Sequence, residues 1–316
     1  MKGLELSKSF YIEYGKDMIR DKFPDIENRL AFGLIGSGSE CFSFDDDISK
    51  DHDFDPGFII FVPDDLDEKV VFNLKREYAK LPMEYKGYKR EVMSPVGGNR
   101  RGVKKVSDFL LEKTGTVDGN LSYYDFIVVP EESLAELTNG EIWRDDSKII
   151  TDVRLKLMVQ PNDVMLKKLA GELLIMAQSG QYNYKRCILH GESGAAKLSL
   201  YEFVNATIHA IFLLNEVYMP YYKWKFKALR NLYWPNDINM EERLMYFLNL
   251  SEDMLKNVER IVNDIDDIAK IFIKRLNEYN LSDRKDVFLE SHAYEVNNKI
   301  KDIDLRNRNI LVAVKE

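Results

Sequence analysis

The chain has 316 residues and 45% hydrophobic content, enough for a sizeable core and for two domains. Its formal net charge of −8 argues against broad, nonspecific attraction to nucleic acid and leaves room only for a local basic groove. Two cysteines, Cys41 and Cys187, show no metal-type spacing, and no apolar run reaches the roughly 18–20 residues that cross a bilayer, so the expectation is a cytoplasmic protein with free thiols and no membrane partner.

In chain order, Leu4 to Phe23 reads as an amphipathic helix, with Phe10, Tyr11, Tyr14 and Met18 at near-helical spacing before Pro24. Leu30 to Ile35 is an apolar run of strand length that ends in the turn Gly36-Ser37-Gly38-Ser39, where glycine permits backbone geometries closed to other residues. Successive N–H groups of that turn, with the Ser37 and Ser39 hydroxyls, would supply donors for phosphate oxygens. Asp51-His52-Asp53-Phe54 then leads into a second apolar run, Gly57 to Val62. Side chains alternate on a strand, so Asp51 and Asp53 would face one ligand while His52 points away. Two carboxylates that close repel unless a cation separates them, and hard oxygen ligands suit Mg2+ bound to substrate phosphates.

A helix is expected from Asp64-Asp65 to Ala79, with its acids at the favourable N-terminal end. Pro82 to Gly102 reads as an irregular edge or an active-site loop, in which Lys86, Lys89, Arg90, Asn99, Arg100 and Arg101 either meet phosphate or form an ordinary solvated face. Gly102 to Leu110 and Asp125 to Val129 are strand candidates, and Gly140 to Asp146 a turn with a short strand. Beyond Pro161 the periodicity is helical: Val164 to Gln178, Lys197 to Tyr218, Tyr222 to Tyr233, Glu241 to Tyr279 with breaks, and Arg284 to Lys301. The expectation is an α+β protein in two domains, 1–158 with a mixed sheet and flanking helices and 159–316 as a helical bundle. On the helix through Leu200 to His209, Glu202, Asn205 and His209 share one stripe; the reading is an interhelical hydrogen-bond network or, more sharply, Glu202 as a general base. The stretch NVERIVNDIDDIAKIFIKRL fits bundle closure and a homodimer seam equally.

Gly-Ser, a short loop and Asp-x-Asp together resemble the polymerase-beta-like nucleotidyltransferase superfamily, which includes the aminoglycoside and lincosamide nucleotidyltransferases. The closer resemblance is to a bacterial branch with a block like GSGSECF-x-FDD-x-x-S-x-DHD, a block like QSGQYNYKR (Gln178 to Arg186 here) and one like MPYYKW (Met219 to Trp224 here); it extends to about Leu232. The resemblance implies transfer of a nucleoside monophosphate from a Mg2+-bound nucleoside triphosphate, with ATP favoured, to a hydroxyl acceptor, and release of pyrophosphate. Asp51 and Asp53 would hold the metal, and Gly36, Ser37, Gly38 and Ser39 the phosphates. From the helical blocks, Lys223, Arg186 and Tyr182 would reach the nucleotide, and Tyr184, Tyr221, Tyr222 and Trp224 offer stacking surfaces.

The acceptor implied is a small aminoglycoside-like molecule; a tRNA end or a protein side chain is the alternative, and the acidic net charge counts against nucleic acid. The superfamily commonly carries a third carboxylate on a later strand. Asp125 and Asp108 are candidates, although the resemblance leaves open that Tyr124 to Val128 begins a short helix rather than a strand, whereas Lys104-Lys105 places cations where an acid is expected. That departure supports a second reading, a nucleotide-binding or interaction protein that kept the fold without the transfer step.

Overall fold

The computed structural model describes residues 1–48, 54–90, 100–235, 239–255 and 257–314. The chain is α+β and divides into two compact units, one of residues 1–122 and 129–159, the other of residues 123–128 and 160–314.

In the first unit, helix α1 (Gly3–Phe10) runs through a π-helical turn (Tyr11–Gly15) into α2 (Lys16–Lys22). Gly15 permits this path: a Cβ there would lie 2.6 Å from the Phe58 ring, so only a bare backbone approaches the sheet so closely. The sheet comprises β1 (Ala31–Leu34), β2 (Ile59–Val62), β5 (Gly102–Lys105) and β6 (Glu141–Asp145) in the order β5-β2-β1-β6. β1 pairs antiparallel with β2 and β6, and β2 pairs parallel with β5. That parallel pair needs a crossover, which carries α3 (Glu68–Ala79) and the hairpin of β3 (Glu84–Tyr85) and β4 (Tyr88–Lys89).

Alternation along β2 sorts the core. Ile60 and Val62 join Leu6, Phe10, Tyr11, Phe58 and Leu74 on one face. Phe61, in register with Lys104, points to the other face and meets Phe109 edge-on at 5.2 Å. Phe109 belongs to α4 (Val106–Thr114), which follows β5 without a linker. The run expected as a strand to Leu110 therefore turns helical at Val106, where Asp64 accepts the Ser107 N–H at 3.3 Å. Asp64 is spent on that bond and Asp65 on Arg29 at 2.6 Å; α3 starts only at Glu68, capped by Asp67 accepting from the Lys69 N–H at 2.8 Å. Helices α6 (Glu131–Thr138) and α7 (Thr151–Leu157) complete this unit.

The second unit is helical. Its α5 (Tyr123–Val128) is the short helix that the resemblance leaves open over Tyr124 to Val128, in place of the strand candidate over Asp125 to Val129; Phe126 and Ile127 are buried, and the helix packs on α8. α8 (Asn162–Met176) is buried on nearly every side and packs with α10 (Ser193–Leu214) and α15 (Leu289–Asn298). A π-helical stretch (Ala177–Asn183) joins α8 to α9 (Tyr184–Leu189), and a short 3-10 turn (Tyr222–Trp224) opens α11 (Lys225–Leu229). The long helical run expected from Glu241 is broken into α12 (Met240–Leu248), α13 (Glu252–Leu255) and α14 (Val258–Glu278). α16 (Ile303–Asn307) and a 3-10 turn (Ile310–Ala313) follow α15, whereas residues 284–288, expected to be helical, are not. Among the described residues no helix is long and apolar enough to cross a membrane.

Candidate functional site

The turn after β1 has the geometry its glycines allow. Gly36 has φ +126°, a conformation that side chains resist, and a Cβ at Gly38 would lie 2.3 Å from the Glu40 carboxylate. Ser39–Phe42 is a 3-10 turn with Cys41 N–H donating to the Gly38 carbonyl at 3.0 Å. Gly36 and Gly38 are buried, Ser39 is half-buried and Ser37 is exposed. The Gly36 N–H donates to Asn139 Oδ1 at 2.9 Å, and Asn139 Nδ2 donates to the Gly36 carbonyl at 2.7 Å. Asn139 is itself fixed at the end of α6, where Arg154 donates to the carbonyls of Leu137 and Thr138, each at 3.0 Å, and to that of Asn139. Gly140 must be glycine here, since its φ is +60° and a Cβ would lie 2.1 Å from the Leu34 carbonyl.

Both flanks of the Asp51–Asp53 segment are anchored by one buried arginine. Arg101 Nη2 donates to Glu40 Oε1 at 3.0 Å, and Arg101 Nε donates to the Gly57 carbonyl at 3.1 Å and lies 3.6 Å from Asp55 Oδ1. All three charged side chains are nearly inaccessible. The neighbouring acids hold the guanidinium's pKa above its ordinary value although desolvation works against them. Asp45 is tied down in a similar way, accepting from the Gly3 N–H at 3.0 Å and lying 3.5 Å from Lys2 Nζ. Of the basic residues expected to meet phosphate or solvent, Arg101 is thus internal. Arg90 is internal too: it donates to the Tyr78 and Ala79 carbonyls at 3.0 Å each, capping α3. Lys86 and Lys89 are exposed.

A cavity of about 190 Å³ opens beside the turn, lined by Gly36 to Gly38 and by three cations, Arg100, Lys104 and Lys113, with Glu112. Burial draws the Lys104 ammonium below its ordinary pKa, as expected for a cation on the sheet face under α4. Its place on β5, beside β2, is where a third carboxylate is expected from the resemblance; Asp108 is exposed on α4, and Asp125 lies on α5 in the second unit. Cys41 also lines the cavity, and burial raises its thiol far above the reactive range.

Asp51, His52, Asp53 and Asn99 lie outside the described residues. Among the described residues no three His, Cys, Asp or Glu stand together as a metal site. A pair of carboxylates is nevertheless the kind of donor set Mg2+ takes, because that ion keeps waters and substrate oxygens for its remaining positions.

In the second unit the QSGQYNYKR block divides between packing and surface. Gln181 Nε2 donates to Asp266 Oδ1 at 2.8 Å and to the Val287 carbonyl at 2.9 Å, while its Oε1 accepts from the Leu289 N–H at 2.9 Å. Tyr184 is buried with its hydroxyl on the Leu255 carbonyl at 2.7 Å, so it is not a stacking platform. Tyr182 and Arg186 are exposed and stack on each other at 5.0 Å; Lys223 is exposed and lies 5.0 Å over the Trp224 ring. Glu202 is exposed on α10, and the carboxylate that meets His209 is Glu172 of α8, with Oε1 2.7 Å from Nδ1. Asn205 Oδ1 accepts from Lys225 Nζ at 3.3 Å.

A family model described as a domain of unknown function, DUF4037, matches residues 126–225. That span holds Tyr182, Arg186, Glu202 and Lys223 but not the Gly36–Ser39 turn. Comparison with curated proteins gives no match.

Proposed function

We propose that the chain transfers a nucleoside monophosphate from a nucleoside triphosphate to a hydroxyl acceptor. The observation that carries this reading is the cation-lined cavity at the Gly36–Ser39 turn, on a sheet whose strand β2 follows the Asp-x-Asp segment in the chain. Backbone N–H groups of a glycine turn and fixed cations are what a polyphosphate needs for binding and for stabilising the charge that develops on departure. Asp51 and Asp53 would hold Mg2+, whose charge offsets that of the α-phosphate oxygens. The acceptor oxygen bonds to the α-phosphorus as the bond from that phosphorus to the bridging oxygen breaks, and pyrophosphate carries away the electron pair. The hydroxyl proton passes to a base, for which the exposed Glu202 is the candidate. ATP is the favoured donor, and Lys223, Arg186 and Tyr182 are assigned to the nucleotide by the resemblance alone.

Titration of the four ribonucleoside triphosphates with and without Mg2+, on wild type and on Asp51→Asn/Asp53→Asn, tests the site. Selective, metal-dependent binding lost in the double variant is expected, followed by pyrophosphate release in an acceptor screen of hydroxylated small molecules. Lys104 on β5 favours one alternative, a nucleotide-binding protein without transfer. Metal-dependent binding with no pyrophosphate release across all acceptors would select it.

A further inference from the structure

In the helical unit, the connection from α14 to α15, residues 279–288, is held to α15 by a chain of polar side chains. His292 is fully buried, and its Nε2 donates to the Asp286 carbonyl at 2.8 Å. Its Nδ1 lies 2.7 Å from Ser282 Oγ, which in turn lies 2.6 Å from Glu295 Oε2. The Asp283 N–H donates to the same Glu295 oxygen at 3.1 Å. Ser282, Asp283 and Glu295 also line a cavity of about 540 Å³, together with Asn277 of α14. The hydrogens available to this chain fix its charge. A carbonyl only accepts, so one imidazole hydrogen stays on Nε2. The two short contacts of Ser282 Oγ need one hydrogen each, and the hydroxyl supplies one of them. The other comes from Nδ1 or from the Glu295 carboxyl. Oε2 already accepts from the Asp283 N–H, and the Ser282 hydroxyl, with that N–H, holds the Glu295 carboxyl below its ordinary range against desolvation. The second hydrogen therefore belongs to Nδ1.

We infer that His292 is a buried imidazolium whose counter-ion is Glu295, reached through Ser282, and that loss of its proton as the pH rises unlatches the 279–288 connection from α15 at the cavity. Without that hydrogen, a lone pair of Ser282 Oγ faces a lone pair of either Nδ1 or Oε2, and one of the two contacts breaks. Ser282 belongs both to the connection and to the cavity wall, so the break is felt at both. The surrounding charges are otherwise engaged or open to solvent. On the connection, Arg284 pairs with Asp286 at 3.0 Å, and Asp283 and Lys285 are exposed. From α14, Asp266 reaches the start of α15 through Gln181, and from α8, Lys167 reaches its far end through Asn297. Glu295 is the carboxylate that hydrogen bonds join to His292. The latch does not depend on the transfer reading.

The test is NMR of the full chain carrying nitrogen-labelled histidine, read at the ring nitrogens, with the His292 signals assigned from the backbone. At neutral pH both nitrogens of His292 are expected to carry hydrogens in wild type, and only Nε2 in Glu295→Gln. A neutral His292 in wild type overturns the inference, as does an imidazolium that persists in Glu295→Gln. Amide exchange reads the latch. As His292 loses its proton, the protection factors of the Asp283 and Arg284 N–H groups, which donate to Glu295 and Ser282, are expected to fall about tenfold, the loss of one charge-assisted hydrogen bond. That of Leu289, whose N–H donates to Gln181, is expected to stay constant. Equal behaviour of all three amides overturns the latch. Both wild-type readings decide the matter even where Glu295→Gln fails to fold.

Discussion

Asn139 and Gly36 hold each other by two hydrogen bonds, N–H to Oδ1 at 2.9 Å and Nδ2 to carbonyl at 2.7 Å, which join the end of α6 to the first residue of the glycine turn. A primary amide carries an acceptor oxygen and a donor nitrogen side by side, so one side chain both accepts from and donates to a single backbone unit. Asn139→Ala is expected to cost about 1–3 kcal/mol of stability, the range for leaving buried polar groups unpaired. Urea unfolding reads that loss, and pyrophosphate titration reads its consequence, a weaker site. An Asn139→Ala protein that is destabilised yet binds pyrophosphate as wild type does would show that the clamp serves the fold and not the turn.

Arg101 is the next prediction. It neutralises Glu40 and Asp55 in a dry environment and also bonds the Gly57 carbonyl, so its removal strands two acids. Breaking a buried ion cluster by removing one partner costs about 3–5 kcal/mol, and Arg101→Met is expected to lose that much. Arg101→Lys keeps the charge without the planar fork and should fall between Met and wild type. The order Arg, Lys, Met in urea midpoint checks the assignment; equal midpoints for Lys and Met would mean that the fork, not the charge, matters.

The parts of this site that were legible in the sequence are those written locally. β1 and β2 sit inside the apolar runs ending at Ile35 and Val62, and the glycine turn follows its strand directly. The strand expected from Gly102 to Leu110 stops at Lys105 because α4 is started by a distant partner, Asp64, that periodicity does not reveal. Glu112, Lys113 and Asn139 escaped notice for the same reason: nothing within a few residues of them marks a site, and only the packing of α4 and the end of α6 brings them to the turn. Lys104 was visible as a misplaced cation, but its neighbours were not. In the helical unit, the interhelical hydrogen bonding expected of the Asn205 and His209 stripe is formed, but the acid that His209 meets is Glu172 of α8, which the stripe on its own helix does not contain. A glutamate inside the apolar run LAGELLIM was the available signal.

That pair yields the third prediction. Glu172 and His209 are 7% and 13% exposed, whereas Glu202 lies in solvent. Glu172→Ala should destabilise by about 1–3 kcal/mol, since it leaves the Nδ1 contact of a buried imidazole unmade. Glu202→Gln should stay within about 0.5 kcal/mol, as for surface positions generally. Any effect of Glu202→Gln on transfer would then be chemical rather than structural, and unchanged transfer at every pH would remove it as the base.

Lys167 gives the pH prediction. It is fully buried on α8, with Nζ donating to Asn297 Oδ1 at 2.9 Å and to the Arg308 and Arg306 carbonyls at 2.7 and 3.3 Å. None of these acceptors carries a charge, and burial lowers the ammonium pKa from 10.5 to about 8. For a base lowered on folding, the unfolded chain holds the proton and the folded chain does not between those two values, so stability rises with pH across that window. Below about 8 both states are protonated and the full cost of burying the charge is present; above 10.5 both are neutral and the cost is gone. Lys167→Met removes this dependence, although it also strands the three acceptors and is less stable at every pH. Other lysines titrate in the same window, so the measurable quantity is the difference in unfolding free energy between wild type and Lys167→Met. That difference is expected to widen in favour of wild type as pH rises from 8 to 10.5. A constant difference would mean that Lys167 stays protonated in the fold, its three acceptors having compensated its desolvation in full.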